Sequence, residues 1–275
     1  MDALGSAGGI GVTRLLLRIA LVACCLVGWQ LTTEAAANPY FPAPLEILDA
    51  ARRLWLSGPA DHLFLSGAIG TDILPSLARL AVGWSLAVVA GVGFGVLIGR
   101  SAVVADYLGL MLSVTRAVPP PLLVPVFLVV FGIGYQMEVA AVVFGAVWPV
   151  LLNTIDGARS IDDTKIQTAR VFGVGGVRWL VGVVLPAASP KIFAGLRVSL
   201  SIALILMVVS ELVGSTSGIG YQLVSAQGNF DLPGAWAWIV LISLLGYALN
   251  RMLVAAEDRL LSWHRGAMRL SEKGN

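Results

Sequence analysis

Charged side chains are scarce in this sequence of 275 residues. Aspartate, glutamate, lysine and arginine together supply 12% of it, about half of the ~25% that is typical of soluble domains. Hydrophobic residues supply 57%, and the mean hydropathy is +0.87. Because a soluble fold cannot bury so much apolar surface, the composition predicts an all-α, polytopic membrane protein embedded in a lipid bilayer. The net charge of +2 and the lack of basic runs argue against a nucleic-acid partner.

Residues that would carry catalysis or bind a cofactor are also missing. No lysine follows a glycine, so the sequence has no phosphate-binding loop for ATP. His62 and His264 are too far apart to form a helical zinc pair, and no Gly-x-Ser-x-Gly nucleophile motif occurs. Cys24 and Cys25 are neighbours inside an apolar run, where inert packing is the expected role. The sequence therefore predicts no enzyme activity, no metal site and no cofactor bound by this chain.

Six apolar runs predict six transmembrane helices. A flexible N-terminus at 1–13 precedes the first span, residues 14–33, for which a cleaved signal peptide is the alternative interpretation. A polar segment with an amphipathic helix occupies 34–76. A core with five further spans occupies 77–256 and contains a polar loop at 158–197, and a tail follows at 257–275. The runs that predict the five core spans are 80–99, 107–133, 139–155, 198–213 and 235–249.

Small residues recur every four positions along the second span, at Ala87, Gly91, Gly95 and Gly99. Residues at this spacing share one face of a helix. Small side chains on one face allow two helix backbones to approach closely in a membrane. The stripe therefore predicts a tightly packed helix pair.

The third span is interrupted by Arg116, Pro119 and Pro120. One interpretation is a surface segment followed by a kinked span. The other is a broken helix that lines a pathway, because irregular backbone at membrane depth persists only beside protein or water. Under the second interpretation these three residues are candidate gate or pathway residues.

Two carboxylates lie close to span ends, Glu138 at the outer entrance of the fourth span and Glu211 near the outer end of the fifth. A carboxylate at the bilayer centre costs roughly 2.5–3.5 kcal/mol, and near an interface the cost is smaller. Glu211 either pairs or caps close to the surface, or belongs to the gate or substrate path. The sequence leaves both roles open.

A polar stretch interrupts the second half of the chain at 160–200. Its beginning predicts a short helix over 161–172, with Ser160 as N-cap and Asp163 completing a capping box. Gly173 predicts the C-terminal stop, since glycine accepts a left-handed backbone. A short capped helix held against the bilayer surface is suited to docking on another protein.

The same stretch resembles the EAA loop of ABC-importer permease subunits, in which Glu-Ala-Ala is followed by a glycine and later by an Ile-x-Leu-Pro group. The spacing fits throughout, although Gln167 and Thr168 stand where Glu and Ala are usual. The similarity extends over about 40–265 and is greatest to permeases of the sulfonate/nitrate/taurine type. Matching loop positions are Gln167, Thr168, Ala169, Gly173, Val183, Leu185 and Pro186.

This resemblance implies the fold of a type I ABC importer permease, with the loop at 158–197 coupling to an ATPase. It also implies partners: two cytoplasmic ATPase subunits that bind ATP and Mg²⁺, a second permease copy in a homodimer, and an external solute-binding protein. Two other classes stay open on the residues alone. An ion-gradient-driven secondary carrier would need ionisable residues at mid-depth, and a scaffold without transport would leave the coupling loop unexplained.

Basic residues predict the orientation. With six spans both termini lie on one side, and fifteen lysines and arginines fall on that side, Arg116 among them. Only Arg52, Arg53 and Arg79 fall on the other side. The positive-inside rule then makes the termini and the loop cytoplasmic and the 34–76 segment external. The expected location is the cytoplasmic (inner) membrane of a bacterium.

Overall fold

The computed structural model describes residues 6–36, 38–59 and 66–262. Five helices there are long and apolar enough to cross a membrane, and a bent helix pair makes up to six. His62, His264 and the tail from residue 263 onward lie outside the described residues. The helices, in order, are α1 (Ser6–Ala36), α2 (Pro44–Trp55), α3 (Leu74–Gly99), α4 (Ala102–Ala117), α5 (Val124–Phe131), α6 (Tyr135–Arg159), α7 (Asp163–Val171), α8 (Gly176–Trp179), α9 (Leu185–Gly214), α10 (Ile219–Gly228) and α11 (Leu232–Leu260).

Three boundaries differ from the sequence predictions. The first helix already begins at Ser6, within the segment predicted to be flexible, and ends at Ala36. The second span begins at Ile69, because a π-helical turn over Ile69–Ile73 continues directly into α3. The fifth span includes α8 and a π-helical turn over Leu180–Val184 before α9, so it covers Gly176–Gly214. The polar loop is consequently shorter than 158–197.

The chain divides into two compact units, which we describe separately. The first contains the described part of Met1–Ile69 together with Leu223–Val240. Its amphipathic helix α2 starts at Pro44, where a missing N–H costs nothing, and the Glu46 side chain accepts a hydrogen bond from the Ala43 N–H (3.1 Å). The apolar face of α2 buries Ile47 and Ala50 against Ala237. Two tryptophans, Trp29 and Trp236, cover this small core edge to face.

The second unit contains Gly70–Gln222 and the described part of Leu241–Asn275. Its centre is α6, which packs against α3 on one side and α9 on the other. The small-residue stripe of α3 faces α6, as predicted. A Cβ placed on Gly91 would lie 2.8 Å from Val150, and one on Gly95 would lie 2.5 Å from Thr154. Only glycine leaves room for this approach, so the stripe fixes the spacing of α3 and α6.

The bent pair, Val103–Ala117 and Pro120–Phe131, turns by 79° at its break. Prolines cause the break, since they cannot donate the backbone hydrogen bonds that a continuous helix needs. In α4, Ala105 packs with Leu151 and Ile155 of α6. Val124, the first residue of α5, packs with Met137 at the other end of α6. The two halves of the pair thus follow opposite halves of the same helix.

Candidate functional site

The coupling stretch, residues 158–186, contains α7 as a short exposed helix. Its N-cap is Asp162, whose side chain accepts the Thr164 N–H at 2.7 Å. This hydrogen bond from the Thr164 backbone holds the pKa of the Asp162 carboxyl below its usual range. The predicted cap, Ser160, is wrong: its hydroxyl donates to the Gly157 carbonyl oxygen (3.1 Å) and so completes the end of α6.

The end of α7 follows the predicted glycine stop. Gly173 has φ +66, and the next residue, Val174, donates its N–H back to the Ala169 carbonyl oxygen at 2.9 Å. The left-handed backbone is costly for any residue with a Cβ. Just before the stop, Val171 and Phe172 are 84% and 78% exposed. Two adjacent apolar side chains that are this exposed mark a surface suited to contact with another molecule.

The other face of α7 is anchored in the membrane unit. Ile166 of α7 packs against a buried cluster made of Ile161, which precedes the helix, with Val96 of α3, Ala158 of α6 and Val184 of the π-helical turn in the fifth span. Residues of three spans therefore form the surface on which this short helix packs.

The predicted loop residues come together only in part. Thr168, Ala169 and Val183 line one groove of about 390 Å³ beside α7. Ala169 is buried, whereas Gln167 is exposed at the helix surface. Leu185 is half-buried against the anchoring cluster, and Pro186 lies in the first turn of α9, where proline is tolerated.

A buried ion network lies at the opposite end of the same unit. Arg79 of α3 contacts Glu138 of α6 through Nε (2.6 Å) and Glu211 of α9 through a terminal nitrogen (2.9 Å). Both carboxylates are almost completely buried, at 0% and 1% exposed. Ser76 donates a further hydrogen bond to Glu211 (2.6 Å). Buried charges persist only when they are paired and hydrogen-bonded, and here a single guanidinium holds three helices together.

The chain after α9 folds back over this network. Gly218 has φ +122, and its N–H donates to Asp72 (3.0 Å). A Cβ at this position would lie 2.6 Å from the Glu211 carboxyl group. The Gly220 N–H donates to the second oxygen of Glu211 (2.8 Å), and the Ser217 carbonyl oxygen accepts from Arg79 (3.0 Å). Sequence reasoning identified the two glutamates but missed Arg79, Asp72 and Ser76.

The remaining predicted residues lie at the break of the bent pair. Arg116 is in the last turn of α4 and is exposed, and Pro119 and Pro120 begin the turn that leads into α5. The structure does not bring Arg116 into the Arg79 network. The candidate pathway residues therefore belong to two separate places in the unit.

The all-helical unit, with its core of α3, α6 and α9 and one surface helix anchored to all three, has the architecture of an ABC-transporter membrane subunit. A solved structure of the MetNI methionine ABC transporter in an inward-facing conformation has the same fold. The TM-score is 0.57 at 20% identity, over 70% of this chain and 93% of that one.

Residues 91–262 match the family described as the binding-protein-dependent transport system inner membrane component. A probable ABC transporter permease protein of Brucella abortus is 30% identical over 93% of this chain and 98% of its own length. The taurine transport system permease protein TauC of Escherichia coli is 28% identical over 86% of each chain. A putative aliphatic sulfonates transport permease protein, SsuC of Bacillus subtilis, is 33% identical over 74% of this chain and 73% of its own. The chain belongs to this family of ABC-transporter permeases, whose members are membrane-spanning, non-catalytic transport subunits.

Proposed function

We propose that this chain forms the translocation pathway of an importer driven by ATP. Separate cytoplasmic subunits bind ATP and Mg²⁺ and hydrolyse the ATP, and an external binding protein delivers the solute. The observation that carries the proposal is α7, because it exposes Val171 and Phe172 and packs through Ile166 against a buried cluster contributed by three spans. A helix of this kind converts movement of a docked partner into movement of the spans.

The solute is a small anion or zwitterion of the sulfonate, taurine or nitrate type. The support comes from the relatives, among which are a putative aliphatic sulfonates permease, a taurine permease and a nitrate import permease. The sequence itself offers few cations inside the spans, so most of the selectivity belongs to the binding protein. A ligand screen on the partner binding protein would identify the solute.

Both termini and α7 face the cytoplasm of a bacterial cell. The distribution of lysine and arginine supports this orientation, since fourteen of them lie on the cytoplasmic side against three on the other even without Arg116. In the same orientation the Arg79 network lies at the external end of the unit. The functional assembly contains two copies of this chain and two ATPase subunits, since six spans are few for a complete pathway.

Glu211, with Arg116, Pro119 and Pro120, belongs to the gate or the pathway in this proposal. The network around Glu211 supports a gate at the external end, because opening there would have to separate α3, α6 and α9. An ion-coupled carrier is the alternative class, but Glu211 lies three residues from the end of α9 at Gly214, about 5 Å along the helix axis. Mid-depth carboxylates, which such a carrier would use, are absent from the described spans.

The proposal is tested by introducing a side chain at position 173, which is a glycine. In Gly173→Val the positive φ can no longer be kept without strain, so α7 loses its end and uptake of solute and the ATPase activity stimulated by the binding protein become uncoupled. Gly182→Val is the matched control, since a Cβ there meets no atom within 4 Å and the backbone has no positive φ. Unchanged ATP-driven uptake by Gly173→Val, at a normal amount of protein in the membrane, would remove the proposal.

A further inference from the structure

The break between α4 and α5 lies beside the middle of α6. A Cβ placed on Gly145 would lie 3.1 Å from the Cβ of Pro120. Gly145 is ten residues from the start of α6 at Tyr135 and fourteen from its end at Arg159. At about 1.5 Å per residue, these separations are roughly 15 Å and 21 Å. In a hydrocarbon core of about 30 Å, the break therefore lies near mid-depth.

Packing on either side of the break agrees with this depth. Leu108 and Leu112 of α4 contact the cluster around Leu151 and Ile155, in the half of α6 that ends at Arg159. Phe127 and Leu128 of α5 contact the cluster around Met137 and Ala141, in the half that begins at Tyr135. The bent pair thus accompanies α6 from end to end, which favours a broken span over a surface segment.

Arg116 lies one turn before this break, and it is the only charged residue between Asp106 and Glu138. The side chain is exposed, and no ion pair or hydrogen bond to it is found within residues 6–36, 38–59 and 66–262. A guanidinium that faced lipid at this depth would be strongly disfavoured. Unwound backbone at membrane depth likewise persists only beside protein or a water-filled cavity. Both features therefore point to an aqueous space at the break.

We propose that Arg116 lines the translocation pathway and binds the anionic group of the transported solute. A guanidinium presents two parallel N–H donors that match the oxygens of a sulfonate, nitrate or carboxylate. The ligand class is therefore a small anion, or a zwitterion that leads with its anionic end. This assignment rests on the proposed function, because it requires that the chain forms the pathway. It makes Arg116 a specificity-determining residue within that pathway.

Charge-selective cysteine labelling tests the assignment. The background variant carries Cys24→Ser and Cys25→Ser, and a reporter is placed at the break by Val118→Cys, with Thr115→Cys as a second reporter if the first accumulates poorly. Membranes in which the full chain is produced with its partner subunits are treated with 2-sulfonatoethyl methanethiosulfonate or with its trimethylammonium counterpart. A cleft lined by positive charge and walled by low-dielectric material raises the local concentration of an anion about tenfold or more. The sulfonate reagent should therefore react about tenfold faster than the cation, after correction for intrinsic reactivity.

Three further variants assign this preference to the guanidinium. Arg116→Gln should bring the corrected ratio of the two rates to about one, because the local charge is gone. Arg116→Lys should retain the preference for the anion. Arg251→Gln removes an exposed arginine of α11 and should leave the ratio unchanged. A ratio that survives in Arg116→Gln would overturn the assignment.

Other outcomes also overturn it, and each is distinct from failure of the proposed function. Labelling by neither reagent would mean that the break is covered by lipid or by a partner subunit. Labelling at equal corrected rates with Arg116 present would mean that the space is aqueous but not selective for anions. The labelling reaction needs no ATP. If solute uptake proved independent of the ATPase, the proposed function would be wrong, but the measured ratio of the two labelling rates would still hold.

Discussion

The Arg79 network and the coupling stretch lie in the same unit, yet they are built in opposite ways. Arg79, Glu138 and Glu211 are buried, and the chain itself supplies their partners. Helix α7 is exposed, with Val171 and Phe172 uncovered. Buried charges that pair with one another hold helices together, whereas an exposed apolar surface is suited to contact with another molecule. The Arg79 network therefore holds α3, α6 and α9 together at one end of the unit. Helix α7, at the other end, is available for contact with a partner that could move these helices.

Removing the Arg79 guanidinium should give the largest loss of stability. Arg79→Ala leaves two buried carboxylates without their counter-charge, and breaking one side of a buried ion pair costs about 3–5 kcal/mol. We expect a large loss of folded protein in the membrane and a lower midpoint of thermal unfolding in detergent. Arg53→Ala is the control, because Arg53 pairs with Asp49 at an exposed position, where an ion pair contributes about 0–1 kcal/mol. Equal unfolding midpoints for the two variants would contradict the structural role of the network.

Two glycines with positive φ allow a direct comparison of the regions. Gly218→Ala adds a methyl group 2.6 Å from the Glu211 carboxyl group, whereas Gly173→Ala adds one with no neighbour within 4 Å. Backbone strain costs roughly 1–3 kcal/mol for a residue with a Cβ in a sparsely populated region of this kind, and the clash adds to it only at Gly218. The free energy of unfolding should therefore fall further for Gly218→Ala, while Gly173→Ala should mainly reduce uptake. The reverse order of stabilities would show that the network tolerates added volume.

The smallest expected effect belongs to the cap of α7. Asp162→Ala removes the acceptor for the Thr164 N–H, so hydrogen exchange at Thr164 should become several-fold less protected, while the unfolding midpoint of the unit hardly changes. Asp162→Asn should restore most of the protection.

The same cap gives a pH dependence with a definite sign. Because the pKa of Asp162 is lowered in the folded state, its contribution is complete above the usual carboxyl range and is lost as the pH falls through the lowered value. Protection of the Thr164 amide, corrected for intrinsic exchange, should therefore be flat around neutrality and decline only in acid. A decline that begins near neutral pH would contradict this assignment of the cap.

Patterns along one helix could be predicted from the sequence, and pairings between helices could not. The stripe at Gly91, Gly95 and Gly99 is visible because residues four apart share a face, and the close packing that it predicts is confirmed by the approach of α3 to α6. The stop at Gly173 is visible for an equally local reason. By contrast, Arg79 and Glu211 are 132 residues apart, and their pairing depends on α3 and α9 meeting beside α6. Buried polar groups need partners, so the isolated glutamates indicated that a cation had to be near.

The error at Ser160 has a similar cause. Both Ser160 and Asp162 are good N-cap residues, and the sequence does not reveal that α6 runs on to Arg159. Because α6 extends to Arg159, the Ser160 hydroxyl donates to the Gly157 carbonyl oxygen at the C-terminal end of α6. Asp162 instead caps the N-terminal end of α7.

Accumulation of solute in vesicles with and without the ATPase tests the central claim most directly. The chain is reconstituted with the binding protein, and the solute is the ligand found to bind that protein. The account predicts accumulation only when the ATPase subunits and ATP are present, and loss of it in Gly173→Val but not in Gly182→Val. Accumulation against a gradient by this chain without the ATPase, driven by an imposed ion gradient alone, would contradict the account.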